Sequence, residues 1–179
     1  MSSMGATTSV PVGEYLSSVY EPDVDFVEGE LEERNVGEKD HAKLQLRIVR
    51  LLDTGDWFVT IETRIRISPT RYRVPDVCVY EREPDEQVFQ TAPWIVVEVL
   101  SPEDRMSRMQ RKLEDYHAIG CENIWILDPW RRKAYRFDGA PSSRRRHSQR
   151  RIPAFESAWR RFSSAALFRS PPSLPAIPA

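Results

Sequence analysis

Apolar and polar positions recur along this chain with two different periods, and the changes of period mark out its elements. From Lys39 to Leu52 apolar side chains return at Leu44, Ile48, Leu51 and Leu52. That is the spacing of one helix face, so a helix with a buried stripe is predicted. From Trp57 to Ile67 the period is two: Trp57, Val59, Ile61, Ile65 and Ile67 share one parity, and Phe58, Thr60, Glu62, Arg64 and Arg66 the other. One long strand or two are expected. Val74 to Tyr80 is a β-branched run around one carboxylate, Asp76, and the run from Pro93 to Ser101 is apolar except for Glu98. The latter reads as a central strand buried on both faces. Ser101-Pro102-Glu103-Asp104 then signals a helix from about Glu103 to Ile119, with Met106, Met109, Leu113 and Tyr116 inward and Gly120 as its stop. Asn123 to Leu127 and Lys133 to Phe137 close as two strands around a turn at Asp128-Pro129-Trp130. Upstream, a short helix is predicted from Pro11 through Val19, with Val12, Tyr15, Leu16 and Val19 at helical spacing. Asp25 to Glu32 reads as a hairpin turning near Gly29, its acids exposed on one face. Helix, strands, then strand-helix-strand describe an α/β fold.

Glu98 raises the question of chemistry. A carboxylate on the same side of an apolar strand as Trp94, Val96 and Leu100 needs a cationic partner, because an unpaired buried charge costs several kcal/mol, roughly. A metal ion would serve, and so would an arginine such as Arg64 or Arg66. An acid on each of two strands with a lysine nearby suits metal-dependent phosphodiester hydrolysis. Asp76 alone, following Pro75, would read as a turn residue. Lys112 alone would read as a solvated helix residue, yet it shares a helical face with Arg105 and Arg108 beside the apolar stripe. Tyr116, one turn on, either hydrogen-bonds to Lys112 or belongs to the core.

Five pieces together resemble a known family: Arg73-Val74-Pro75-Asp76-Val77; Val96-Val97-Glu98-Val99-Leu100-Ser101-Pro102; Arg111-Lys112-Leu113 with Tyr116; Gly120; and Ile124-Trp125-Ile126-Leu127-Asp128-Pro129. Over about Pro11 to Gly139 the chain resembles the Uma-type family of putative restriction endonucleases, a branch of the PD-(D/E)XK nuclease superfamily. Leu100 stands where the superfamily's general pattern has lysine, and the resemblance gives that role to Lys112. It implies a restriction-endonuclease-like mixed sheet of about four to six strands flanked by helices. It also implies a Mg²⁺-dependent endonuclease acting on DNA, with Mn²⁺ as a substitute. Asp76, Glu98 and the Val99 carbonyl would hold the metal, Lys112 would position the attacking water, and Glu30 would order water or a second ion. His41 matches a histidine of the family. Without the resemblance Glu30 is an exposed hairpin residue and His41 a surface or capping histidine. The resemblance further suggests bacterial cytoplasm and is compatible with a homodimer, in which two copies cut both strands.

Composition alters this picture mainly at the C-terminus. The chain has 179 residues, one domain by length, and a net charge of -1. Residues 140–179 hold eight arginines against Glu156 alone, +7, whereas residues 1–139 hold 18 basic and 26 acidic residues, -8. An acidic body is unusual for a tight non-specific DNA binder, and favours as the rival reading a catalytically inactive nuclease fold that binds DNA or protein. The tail has no sustained period and six of the fourteen prolines, so it is expected to be mostly disordered. As a nucleic-acid tether it lacks interleaved aromatics. Residues 1–10 read as a flexible start. Cys78 and Cys121 belong to no short-spaced cluster and read as free thiols of a cytosolic protein. No apolar run approaches a membrane span, and no Lys or Arg precedes Arg34, so neither a membrane partner nor a signal peptide is expected.

Overall fold

The two periods resolve into two sheets and three helices. The computed structural model describes residues 9–34, 39–55, 57–102 and 104–139. In chain order the elements are α1 (Val12–Ser17), β1 (Asp25–Val27), β2 (Glu30–Glu32), α2 (Lys39–Leu52), β3 (Phe58–Ile61), β4 (Ile65–Ser68), β5 (Arg71–Arg73), β6 (Val77–Tyr80), β7 (Ile95–Val99), α3 (Met106–Ala118), β8 (Asn123–Asp128) and β9 (Lys133–Phe137). The proposed tail, residues 140–179, and residues 1–8 lie outside the described residues. Val10 donates its backbone N–H to Gly29.

The central sheet has strand order β3-β6-β7-β8-β9. Its one parallel pair is β7 with β8, joined through α3, because parallel neighbours need a crossover and a helix supplies it. Alternation along β7 sends Ile95, Val97 and Val99 to a core shared with Leu44, Ile48 and Leu52 of α2. It sends Val96 to the opposite core, with Met109, Leu113 and Tyr116 of α3. Two helices thus cover the two faces, and Glu98, sharing the parity of Val96, is directed at α3. Trp94 departs from the expected side: it precedes the strand and packs with the α2 core, stacked on Trp57.

The second sheet, antiparallel with order β2-β1-β5-β4, is an addition to the expected architecture. The alternating stretch from Trp57 to Ile67 is therefore two strands in different sheets, broken where Glu62 takes φ 48°. Equal parity hid that break. The hairpin turns where expected, with Glu28 and Gly29 both left-handed. Gly29 has a second constraint, since a Cβ there would fall 2.0 Å from Ser9 Oγ. The hairpin's acids are not all exposed: Asp25 is fully buried. Two amphipathic expectations fail at helix ends. Met106 is 74% exposed because α3 begins at that residue, and Val19 is 93% exposed because α1 has already ended at Ser17. Among the described residues, no helix is long and apolar enough to cross a membrane.

Candidate active site

The register of β6 against β7 pairs Val77 with Val97 and Cys78 with Val96. One step further, the same antiparallel register sets Asp76 across from Glu98, both on the face that α3 covers. Asp76 lies just before β6, where the chain leaves the second sheet for the central one. Its Oδ2 accepts the Val99 N–H at 2.7 Å, so the backbone beside Glu98 fixes its position. Its Oδ1 accepts Arg34 Nη2 at 2.6 Å, with His41 Nε2 at 3.6 Å.

Glu98 is held from the helix. Lys112 Nζ lies 2.8 Å from Glu98 Oε1, and the Tyr116 hydroxyl donates to the same oxygen at 2.6 Å. Lys112 and Tyr116 are one turn apart on α3 and so reach the same spot. The cation that Glu98 needs is therefore this lysine. Arg64 instead binds Asp23, and Arg66 binds Gln90. Lys112 also stands 3.8 Å from Asp25 Oδ2, and all three groups are buried.

Arg34, His41, Asp76, Glu98, Val99 and Lys112 line one cavity of about 40 Å³ at the carboxyl end of β7. A cavity that size has room for a cation and a water or two. The two carboxyls differ in electrostatics. Burial pushes Asp76 up, but the His41 imidazole beside it and the charges of Arg34 and Lys112 hold it below the usual carboxylate range. For Glu98 burial prevails, and its carboxyl is raised despite Lys112. Burial lowers Lys112, but Asp25, Glu98 and Asp76 more than offset this and keep it protonated. His41 is likewise lowered by burial and raised overall by the Asp76 carboxylate beside it. Its Nδ1 is buried without a hydrogen-bond partner.

Of the residues predicted from sequence, Asp76, Glu98, Lys112, His41 and Val99 come together here. Glu30 does not: it is exposed on β2 and lies outside the cavity lining. The hairpin contributes Asp25 instead, and it reaches Lys112. Sequence reasoning missed Arg34 and Asp25 because each meets its partner across many residues. Parity gave no signal for Asp25, which pairs with Glu32 and has the parity opposite to the core residue Phe26.

The donors suit a hard divalent cation. Two carboxylates and a carbonyl offer oxygen ligands, and Mg²⁺ commonly takes one or two carboxylates and completes its shell with water and substrate phosphate. Among the described residues, no group of three or more His, Cys, Asp or Glu side chains forms a metal cage. A cation here would thus depend on water or phosphate for the rest of its coordination.

The sequence model of Uma2, described as putative restriction endonuclease, matches residues 13–158. Among solved structures, a putative nuclease belonging to DUF820 from Anabaena variabilis is similar, with a TM-score of 0.57 and 20% sequence identity. The alignment covers 73% of this chain and 85% of that one, and at that identity the likeness is one of fold. No curated protein matches the chain.

Proposed function

The chain belongs to the Uma2 family of putative restriction endonucleases, and from that premise we propose that it is a metal-dependent endonuclease hydrolysing phosphodiester bonds in DNA. The observation that carries this reading is the facing of Asp76 and Glu98 across one cavity with Lys112 at its wall. A divalent cation, Mg²⁺ or Mn²⁺, held by Asp76, Glu98 and the Val99 carbonyl would supply Lewis-acid polarisation of the phosphate and acidify a water.

The chain's own residues do the rest. Lys112, kept protonated by three acids, orients the attacking water and offsets charge that develops on the phosphate. Tyr116 holds Glu98 Oε1 through a hydrogen bond and so fixes the carboxylate's rotamer. His41 steadies Asp76 from the other side. Glu30, exposed on β2 and outside the cavity lining, has no part in this reading.

Plasmid nicking in Mg²⁺ or Mn²⁺ tests the reading. Wild-type protein is expected to cleave only with the metal, and Glu98→Ala and Lys112→Ala each to lose at least about a hundredfold in rate. Metal-independent cleavage, or full activity in Glu98→Ala, contradicts it. The rival reading, a non-catalytic scaffold, predicts DNA binding without cleavage by a folded wild type. The same nicking assay run beside a DNA-binding titration separates the two.

A further inference from the structure

Both oxygens of Asp76 are already engaged. The backbone N–H of Val99 holds Oδ2, and the Arg34 guanidinium holds Oδ1. The backbone donor cannot leave without breaking the end of β7, whereas Arg34 is a flexible side chain that follows β2. A divalent cation taking Asp76 as a ligand must therefore displace Arg34, because two cations on one carboxylate oxygen repel strongly where water is scarce.

A displaced guanidinium needs another anion, since its own side chain is only 10% exposed. Lys112 already engages Glu98. Glu62 is 4.0 Å from Arg34 but half exposed, and makes a poor substitute. A phosphodiester bound at the same cavity fits better, as a guanidinium fork matches two phosphate oxygens.

We propose that Arg34 couples the cation to the substrate: it neutralises Asp76 until a divalent cation takes Oδ1, and then binds the phosphodiester. This rests on the nuclease reading above. Cation and phosphate consequently bind with positive cooperativity, and each draws the other in. The cation alone binds weakly because it must first expel an arginine.

Calorimetric titration of Mg²⁺ into the full chain tests this, with and without a phosphorothioate-linked dinucleotide. The wild type is expected to bind Mg²⁺ about tenfold more tightly with the dinucleotide. Arg34→Gln is expected to bind Mg²⁺ alone about tenfold more tightly than wild type and to gain little from the dinucleotide. Arg34→Lys, which keeps the charge, retains part of the cooperativity, and Arg34→Met serves as the neutral readout if the glutamine variant fails to fold. If Arg34→Gln, or failing it Arg34→Met, binds Mg²⁺ with wild-type affinity and wild-type cooperativity, Arg34 is a fixed ion-pair partner and the coupling is overturned. That result leaves the nuclease reading standing wherever Glu98→Gln abolishes Mg²⁺ binding. Absence of Mg²⁺ binding in folded wild type even with the dinucleotide present, or binding unchanged in Glu98→Gln, overturns both.

Discussion

Two clusters of buried acids lie side by side in this molecule, and Lys112 touches both. In the first, Arg73 is 1% exposed and answers three carboxylates. Its Nη1 bonds Glu32 at 2.7 Å and Asp25 at 3.2 Å, and its Nε bonds Asp115 at 2.8 Å. Arg71 adds a bond to Asp115, and Val74 N–H satisfies the other oxygen of Asp25. In the second, Asp76 and Glu98 meet Arg34, His41 and Lys112 around open space. Both clusters pair buried charge with buried charge, so burial of an acid does not by itself mark a site. The clusters differ in completeness. In the first cluster the Arg73 fork bonds all three acids through Nε and Nη1, whereas the other cluster keeps a cavity, an unpartnered His41 Nδ1 and two carboxyls displaced in opposite directions.

Arg73→Met breaks the comparison most severely. Three acids would be left without their central cation, and a loss of about 5 kcal/mol in unfolding free energy is expected from urea titration. A loss below about 1 kcal/mol would show that the Arg73 cluster is not what ties the second sheet to α3.

Lys112→Met should cost less, about 3 kcal/mol, since Asp25 keeps Arg73 and only Glu98 loses its cation. Combining it with Glu98→Gln should restore most of that stability while cleavage stays absent. Glu98→Gln alone should leave stability nearly unchanged at neutral pH. The carboxyl's pKa is raised in the fold, so it contributes stability below its ordinary value and loses that contribution as pH rises through the raised one. A double variant no more stable than Lys112→Met would mean that Glu98 is not the lysine's main partner.

His41→Gln is the smallest perturbation and reads the second cluster alone. His41 is raised above its ordinary 6.5, so its pairing with Asp76 stabilises the fold fully below that pH and fades as pH rises through the raised value. Asp76, held low, stays ionised across this range. The wild-type urea midpoint should therefore fall with pH just above 6.5, and His41→Gln should lack that fall. An identical slope in both proteins would place the proton elsewhere.

Sequence periodicity carried much of this architecture because the central elements are locally consistent. The stripe Leu44, Ile48, Leu52 and the unbroken run Ile95 to Val99 each have one way to be buried, and helix α2 and strand β7 followed at their expected positions. Lys112 could be placed near the carboxyl end of the Glu98 strand because strand and helix are consecutive, but its ion pair with Glu98 could not, and a metal or Arg64 or Arg66 was the expected partner. Long-range partners were not legible. Arg73 was visible only as part of a matching motif, and its three carboxylates come from residues more than 40 positions away. The alternation around Glu62 left one strand or two open because a change of sheet leaves parity intact. Met106 fitted the inward stripe by number and fails because a helix's first residue has no preceding turn to lie on.

The hairpin β1–β2 gives the clusters a kinetic meaning as well. Its bonds to the rest of the chain close loops of 48 residues from Asp25 to Arg73, 49 from Asp25 to Val74 and 79 from Glu32 to Arg111. The β7–α3–β8 unit, by contrast, joins neighbours along the chain. Contacts at long sequence separation form late, because loop closure must be met before they reward it. The central sheet with α3 can thus assemble first, with Glu98 and Lys112 already opposed, and docking of the hairpin brings Asp25 to Lys112 and Arg34 to Asp76. On that order the site is completed last, when the hairpin docks.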